Sequence, residues 1–251
     1  YLSPYVIDPL FNKFEPLQQS HPELVARLEQ VVAKGHMNIP PDRMFLMKAS
    51  AKVTTLNAYV TGFGGSKRVV VWDTSLQKGT PDDVLFIFGH ESGHYVLNHV
   101  TRGIAMLIVG LLLAFFLGYH LVRSMLRRFG PAWGIRSEND WGTLAVLFFA
   151  FTLLSLVSGP LVNFLSRMQE HAADVYGQEA IHGLVADPQQ VAQASFGVLA
   201  VNSLVVPRPN LLLEFLLDSH PALGRRAAFA HAYNPWAPGY VPKYFPPTPT
   251  P

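Results

Sequence analysis

The residues in this chain whose types and spacing could do chemistry are His90-Glu91-Ser92-Gly93-His94. Histidines four apart lie on one face of a helix, so both imidazoles can reach a single metal ion. The glutamate between them points toward the same cleft and can take a proton from a water held there. With no cysteine in the chain, a metal site must be built from His, Asp or Glu. Two neutral histidines and one carboxylate would hold zinc with a fourth position open, which suits peptide-bond hydrolysis.

The third donor must come from elsewhere in the chain. Arg167-Met168-Gln169-Glu170-His171-Ala172-Ala173-Asp174 reads as helix, with Glu170 and Asp174 one turn apart on one face. Ile104–Val122 and Thr143–Leu165 are uncharged runs of 19 and 23 residues, long enough to cross a bilayer. If they form a hairpin, its ends lie side by side and Glu170 returns to the histidine pair. Glu170 is therefore the expected third ligand, and Asp174 the acid that holds a ligand or a neighbouring cation. His171 projects off that face and reads as structural. An ion pair between Glu170 and Arg167 is the alternative fate of that acid.

The elements that must position these residues follow from local signals. Thr80-Pro81-Asp82-Asp83 offers an N-cap, a proline at the first helical position and early acids. Val84–Phe88 then leads into the motif, and the same helix is expected to run on toward the membrane. Pro22–Lys34 reads as an amphipathic helix capped by Ser20, with His21 and His36 flanking it at the surface. Residues 1–20 read as irregular because of their prolines. Met44–Ala49, Leu56–Gly62 and Arg68–Trp72 read as strands, the last two joined by a turn at Phe63–Lys67. Pro188–Val201, Leu211–Leu217 and Pro221–His231 read as helices, the last capped by Ser219-His220-Pro221. Gly110, Ala114 and Gly118 form a small-residue face suited to packing in lipid, and Gly159-Pro160 is a potential kink. Pro235–Pro251 reads as an extended, poorly packed tail.

Composition agrees with a membrane protein. Hydrophobic residues make up 49% and charged residues 14%, against about 25% charged in soluble domains. A net charge of +2, dispersed along the chain, gives no footprint for nucleic acid. The chain opens at Tyr1 with no visible signal peptide, so upstream sequence is expected. Arg123, Arg127, Arg128 and Arg136 between the two runs would place that connection in the cytoplasm by the positive-inside rule.

Together these blocks resemble the M48 family of membrane zinc metallopeptidases, most closely the Ste24 type (CAAX prenyl proteases), with HtpX-type proteases as relatives. The likeness runs from Val6-Ile7-Asp8-Pro9-Leu10-Phe11 to Arg226 and rests on Asn57-Ala58-Tyr59, His90-Glu91-x-x-His94, Glu170-x-x-x-Asp174 and His220-Pro221 with Arg226. It implies an α+β, zincin-like fold that is mainly helical with a small sheet, and a two-helix transmembrane hairpin inserted between the metal helix and the third-ligand helix. Five segments follow: 1–79, the first part of the peptidase domain; 80–103, the metal helix; 104–165, the hairpin; 166–234, the rest of the peptidase domain; and 235–251, the tail. The resemblance implies one Zn2+ per chain held by His90, His94 and Glu170, with Glu91 as base and Asp174 supporting a ligand. By the same resemblance Asn57 and His220 bind substrate or stabilise the oxyanion, and Arg226 supports that site.

Ser92 departs from the usual apolar residue of the motif. The family's substrates would be prenylated or membrane-associated peptides, or misfolded membrane proteins in the HtpX-like case. It implies a multi-pass protein of a bacterial or endoplasmic-reticulum-type membrane, with its peptidase domain in the cytoplasm, against the arginine count. A carboxylate-bridged di-iron site would need a second Glu-x-x-His, and Ala173 stands where that histidine should be. A zinc-holding membrane scaffold without activity would have no use for Glu91.

Overall fold

The computed structural model describes residues 8–62 and 67–247. The helices are α1 (Asp8–Phe11), α2 (Leu17–Ser20), α3 (Pro22–Lys34), α4 (Asp73–Lys78), α5 (Pro81–Val96), α6 (His99–Phe129), α7 (Gly142–Ala180), α8 (Pro188–Ser203), α9 (Leu211–Leu217) and α10 (Leu223–Ala232). The strands are β1 (Phe14–Pro16), β2 (Met44–Met47), β3 (Ala58–Thr61) and β4 (Arg68–Trp72). By contact the chain divides into two units, Tyr1–Leu97 with Met168–Asn210 and His220–Pro251, and Asn98–Arg167 with Leu211–Ser219.

In the first unit the strands form a mixed sheet of order β1-β2-β4-β3. β3 and β4 pair antiparallel as expected, with Tyr59 opposite Val70. β2 runs parallel to β4, and β1 adds an antiparallel edge. Residues 63–66 of the expected turn, and Val6 and Ile7 of the opening block, lie outside the described residues.

α5 begins where its sequence predicts. The Asp83 backbone N–H donates to Thr80 Oγ1 at 3.2 Å and the Thr80 N–H to Asp83 Oδ2 at 2.8 Å, a reciprocal cap on a helix opened by Pro81. Asp83 also accepts from Ser195 Oγ at 2.6 Å, which ties α8 to the start of α5. Five consecutive apolar residues, Val84 to Phe88, are buried. A helix buried all round must be covered on every face, and α5 packs against β3, α3 and α8. Phe86 meets Phe196 of α8 edge-on at 5.2 Å.

Several expectations are corrected. α5 stops at Val96 rather than running on: Asn98 takes a left-handed conformation (φ 56°), tolerated by its short polar side chain, and α6 starts afresh at His99. Residues 8–20 carry α1, β1 and α2, so the prolines punctuate short elements rather than prevent them. Ser20 ends α2, and His21 precedes α3 with no side-chain cap bond. β2 ends at Met47. α10 starts at Leu223 after Ala222, so the Ser219-His220-Pro221 block does not cap it.

The tail is docked as far as Phe245. The buried Glu179 carboxylate accepts the backbone N–H groups of Lys243, Tyr244 and Phe245 at 2.6–3.1 Å and the Tyr233 hydroxyl at 2.5 Å. Tyr244 and Phe245 rest on the Tyr176 ring, with centroids 5.6 and 5.0 Å away.

In the second unit α6 and the first part of α7 are each apolar and long enough to cross a membrane, by length and composition. α7 continues through Pro160 as one helix. Among the described residues, the small-residue face of α6 meets a neighbour near Gly118, where an added Cβ would stand 3.5 Å from Leu154; one at Gly110 would meet none of them within 4 Å, and Ala114 is exposed.

Candidate active site and metal centre

Glycine governs how α5 and the end of α7 meet. A Cβ on Gly177 would fall 2.7 Å from the His90 backbone nitrogen, and one on Gly89 would fall 3.1 Å from Gly177. One turn along, a Cβ on Gly93 would stand 3.0 Å from Tyr176 and 3.1 Å from Ala173. The backbones can approach this closely only because no side chains intervene. Asp174 and Glu170, one and two turns before Gly177, thereby face the histidines.

His94 Nε2 lies 3.1 Å from His90 Nε2 and 3.3 Å from Glu170 Oε1, and His90 Nε2 lies 3.5 Å from Glu170 Oε2. One ligand atom from each of the three residues lies within 4.8 Å of the others. Donors at about 2.0–2.1 Å in a tetrahedron around zinc stand about 3.3–3.4 Å apart, so this triangle has the size and the donor set of three zinc ligands.

The surroundings fix how these donors point. His90 Nδ1 stands 2.9 Å from Asp174 Oδ1, so the ring donates its Nδ1 proton there and turns the Nε2 lone pair toward His94 and Glu170. Arg226 holds Asp174 by two parallel bonds, Nε to Oδ2 at 2.9 Å and an amino nitrogen to Oδ1 at 2.6 Å. The same guanidinium reaches Glu170 Oε2 at 3.3 Å and sits over the Phe196 ring, 4.6 Å from its centroid. His220 approaches from the exposed rim, its Nε2 3.4 Å from Glu170 Oε1.

Electrostatics sort the carboxyls into two kinds. Burial alone would raise the Glu170 carboxyl, but the His94 hydrogen bond and the charges of His90, Arg226 and His220 outweigh it and bring it down to about 2. Burial likewise opposes ionisation of Asp174, and Arg226 with His90 overcomes it. Glu91 goes the other way: burial pushes its carboxyl up, only partly offset by His90 and His94. An acid held ionised suits a ligand, and one shifted toward neutrality suits proton transfer.

The structure brings His90, His94, Glu170, Asp174, Arg226 and His220 into one cluster. Asn57 is fixed through its backbone, which exchanges bonds with Ser75 Oγ at 2.8 Å each way, and its side chain makes no hydrogen bond to the cluster. Arg167 does not pair with Glu170; it donates to the carbonyls of Glu214 and Asp218. His171 stacks edge-on against Phe229, a structural contact as expected. Sequence reasoning missed Phe196 beneath Arg226 and the glycine crossing. Gly89 and Gly93 did carry a signal, because two glycines four apart inside a helix ask for a packing reason.

A family model, "Peptidase family M48", matches residues 18–234. The chain belongs to this metallopeptidase family. "Uncharacterized metalloprotease YhfN" of Bacillus subtilis is 35% identical over 230 residues, 92% of this chain and 52% of that protein. "CAAX prenyl protease 1 homolog" of Arabidopsis thaliana is 33% identical, over 89% of this chain and 50% of its own. The M48 fold is supported by the crystal structure of S. mikatae Ste24p, with a TM-score of 0.70 and 23% identity, covering 90% of this chain and 53% of that one. The chain thus spans about half the length of these M48 relatives.

Proposed function

We propose that the chain is an integral-membrane, zinc-dependent metalloendopeptidase of the Ste24 kind, with a two-helix transmembrane hairpin inserted between α5 and Glu170. The observation that carries this reading is the ligand-sized triangle of His90, His94 and Glu170, with Asp174 setting the His90 tautomer. Zinc is the metal whose geometry these donors fit, and when bound it acidifies water and polarises a peptide carbonyl.

The chain's own residues do the rest. Burial raises the proton affinity of Glu91, so its carboxylate takes a proton from the attacking water and returns it to the leaving amine. His220, 62% exposed at the rim, donates toward the carbonyl oxygen as charge builds there, and Arg226 keeps Glu170 and Asp174 ionised beneath it. Asn57, immediately before β3, contributes to substrate binding, and the open edge of β3 takes an extended peptide by main-chain bonds.

The substrates are prenylated or membrane-associated peptides, a class supported by the relatives named CAAX prenyl protease 1. The test compares the native chain with Glu91→Gln for bound zinc and for cleavage of a farnesylated peptide and its unmodified twin. Full zinc with cleavage lowered by about 10²–10⁴ is expected. Normal cleavage by Glu91→Gln would overturn the mechanism, and equal cleavage of both peptides would overturn the prenylated class of substrate.

A further inference from the structure

We infer that α9 is a third lipid-facing element of this chain, a short helix whose apolar circumference is solvated by acyl chains where the bilayer's hydrocarbon ends; this rests on reading α6 and α7 as membrane spans. α9 is Leu211-Leu212-Leu213-Glu214-Phe215-Leu216-Leu217. Its six apolar side chains are 37–71% exposed, whereas its single charged residue, Glu214, is 7% exposed. A water-facing helix distributes these the other way round. A protein partner would cover one stripe of a helix, but here the exposed positions occupy every direction except that of Glu214. α9 belongs to the same unit as α6 and the apolar part of α7, and α6 exposes its leucines and phenylalanines in the same manner.

A second observation concerns the backbone. The last carbonyls of any α-helix lack partners within the helix; water satisfies them at a surface, but hydrocarbon cannot. Near the end of α9 the carbonyls receive donors from α7 side chains. Asn163 Nδ2 donates to the Leu216 carbonyl at 3.0 Å. Arg167 donates to the carbonyl of Asp218, the residue after α9, at 2.5 Å, and at 3.2 Å to the Glu214 carbonyl, which also accepts the Asp218 N–H; its guanidinium lies 5.8 Å from the Phe215 ring. Asn163 lies inside the uncharged 143–165 run, and Arg167 lies two residues beyond it. Those positions place α9 at the boundary depth, with a guanidinium able to reach the headgroups while the leucines enter the acyl layer.

The chain contains no cysteine, so single substitutions report cleanly. Leu213→Cys and Leu217→Cys would each be labelled with an environment-sensitive fluorophore in the full chain, reconstituted into vesicles of phosphatidylcholine with or without brominated acyl chains. Leu112→Cys on α6 and Gln30→Cys on α3 are the references. Bromolipid should remove fluorescence at 213 and 217 as it does at 112, while iodide in the aqueous phase quenches only the label at 30. Quenching at 213 and 217 by iodide, or by neither agent, with 112 still quenched by bromolipid, overturns the assignment of α9 alone. Failure of bromolipid to quench at 112 overturns the membrane reading and this inference with it.

Discussion

His90 is engaged at both ring nitrogens, and the two contacts do different jobs. Asp174 takes the Nδ1 proton and so decides which nitrogen faces His94 and Glu170; Arg226 holds Asp174 in turn, and Phe196 lies under the guanidinium. Buried charges persist only when paired, and this chain of contacts leaves none of them alone. In Asp174→Asn the amide presents either an acceptor to His90 or a donor, and Arg226 loses its partner charge. Metal affinity should fall about 10–100-fold, the usual cost of losing such a support, in a competition titration against a chelating dye. Unchanged affinity would mean that Asp174 does not set the ring. Glu170→Ala should abolish stoichiometric metal binding by the same titration, and full occupancy would exclude Glu170 as a ligand.

Among the elements, the crossing of α5 with the end of α7 decides whether the cluster forms. Gly177→Ala puts a methyl 2.7 Å from the His90 nitrogen, where only backbone could give way. It should cost about 1–3 kcal/mol in thermal unfolding, as overpacking does, and should lower metal content as well. Gly197→Ala on α8 meets nothing within 4 Å and should be neutral or stabilising by up to about 1 kcal/mol. Equal effects of the two would sink the close-packing account. The start of α5 was legible in the sequence because its capping box and Pro81 act within four residues, and the separation of Glu170 from the motif was legible because two long apolar runs intervene. The crossing was not, since a glycine's partner lies on another helix. Nor was the anchoring of the tail, where Glu179 holds residues 64 to 66 positions away that composition alone marks as loose. Likewise the parallel pairing of β2 with β4 left no local signature, because register between distant strands is set by the core they cover.

At the scale of the whole molecule the open choice is orientation, and two rules oppose each other. The positive-inside count favours a cytoplasmic connection between α6 and α7, whereas the M48 resemblance favours a cytoplasmic peptidase unit. Three of the four arginines, Arg123, Arg127 and Arg128, belong to α6 itself, and Arg123 stands 3.8 Å from Glu138 and 3.1 Å from the Tyr119 hydroxyl. The rule weighs the short loops flanking the spans, and this chain spans about half the length of the M48 relatives it matches. We therefore predict that the peptidase unit faces the cytoplasm. In intact bacterial cells expressing the chain, a membrane-impermeant maleimide should label Ser137→Cys in the connection and leave Asp42→Cys, before β2, unlabelled until the cells are opened. The reverse pattern would make the arginines decisive, and release of the protein by alkaline extraction would remove the membrane from the account altogether.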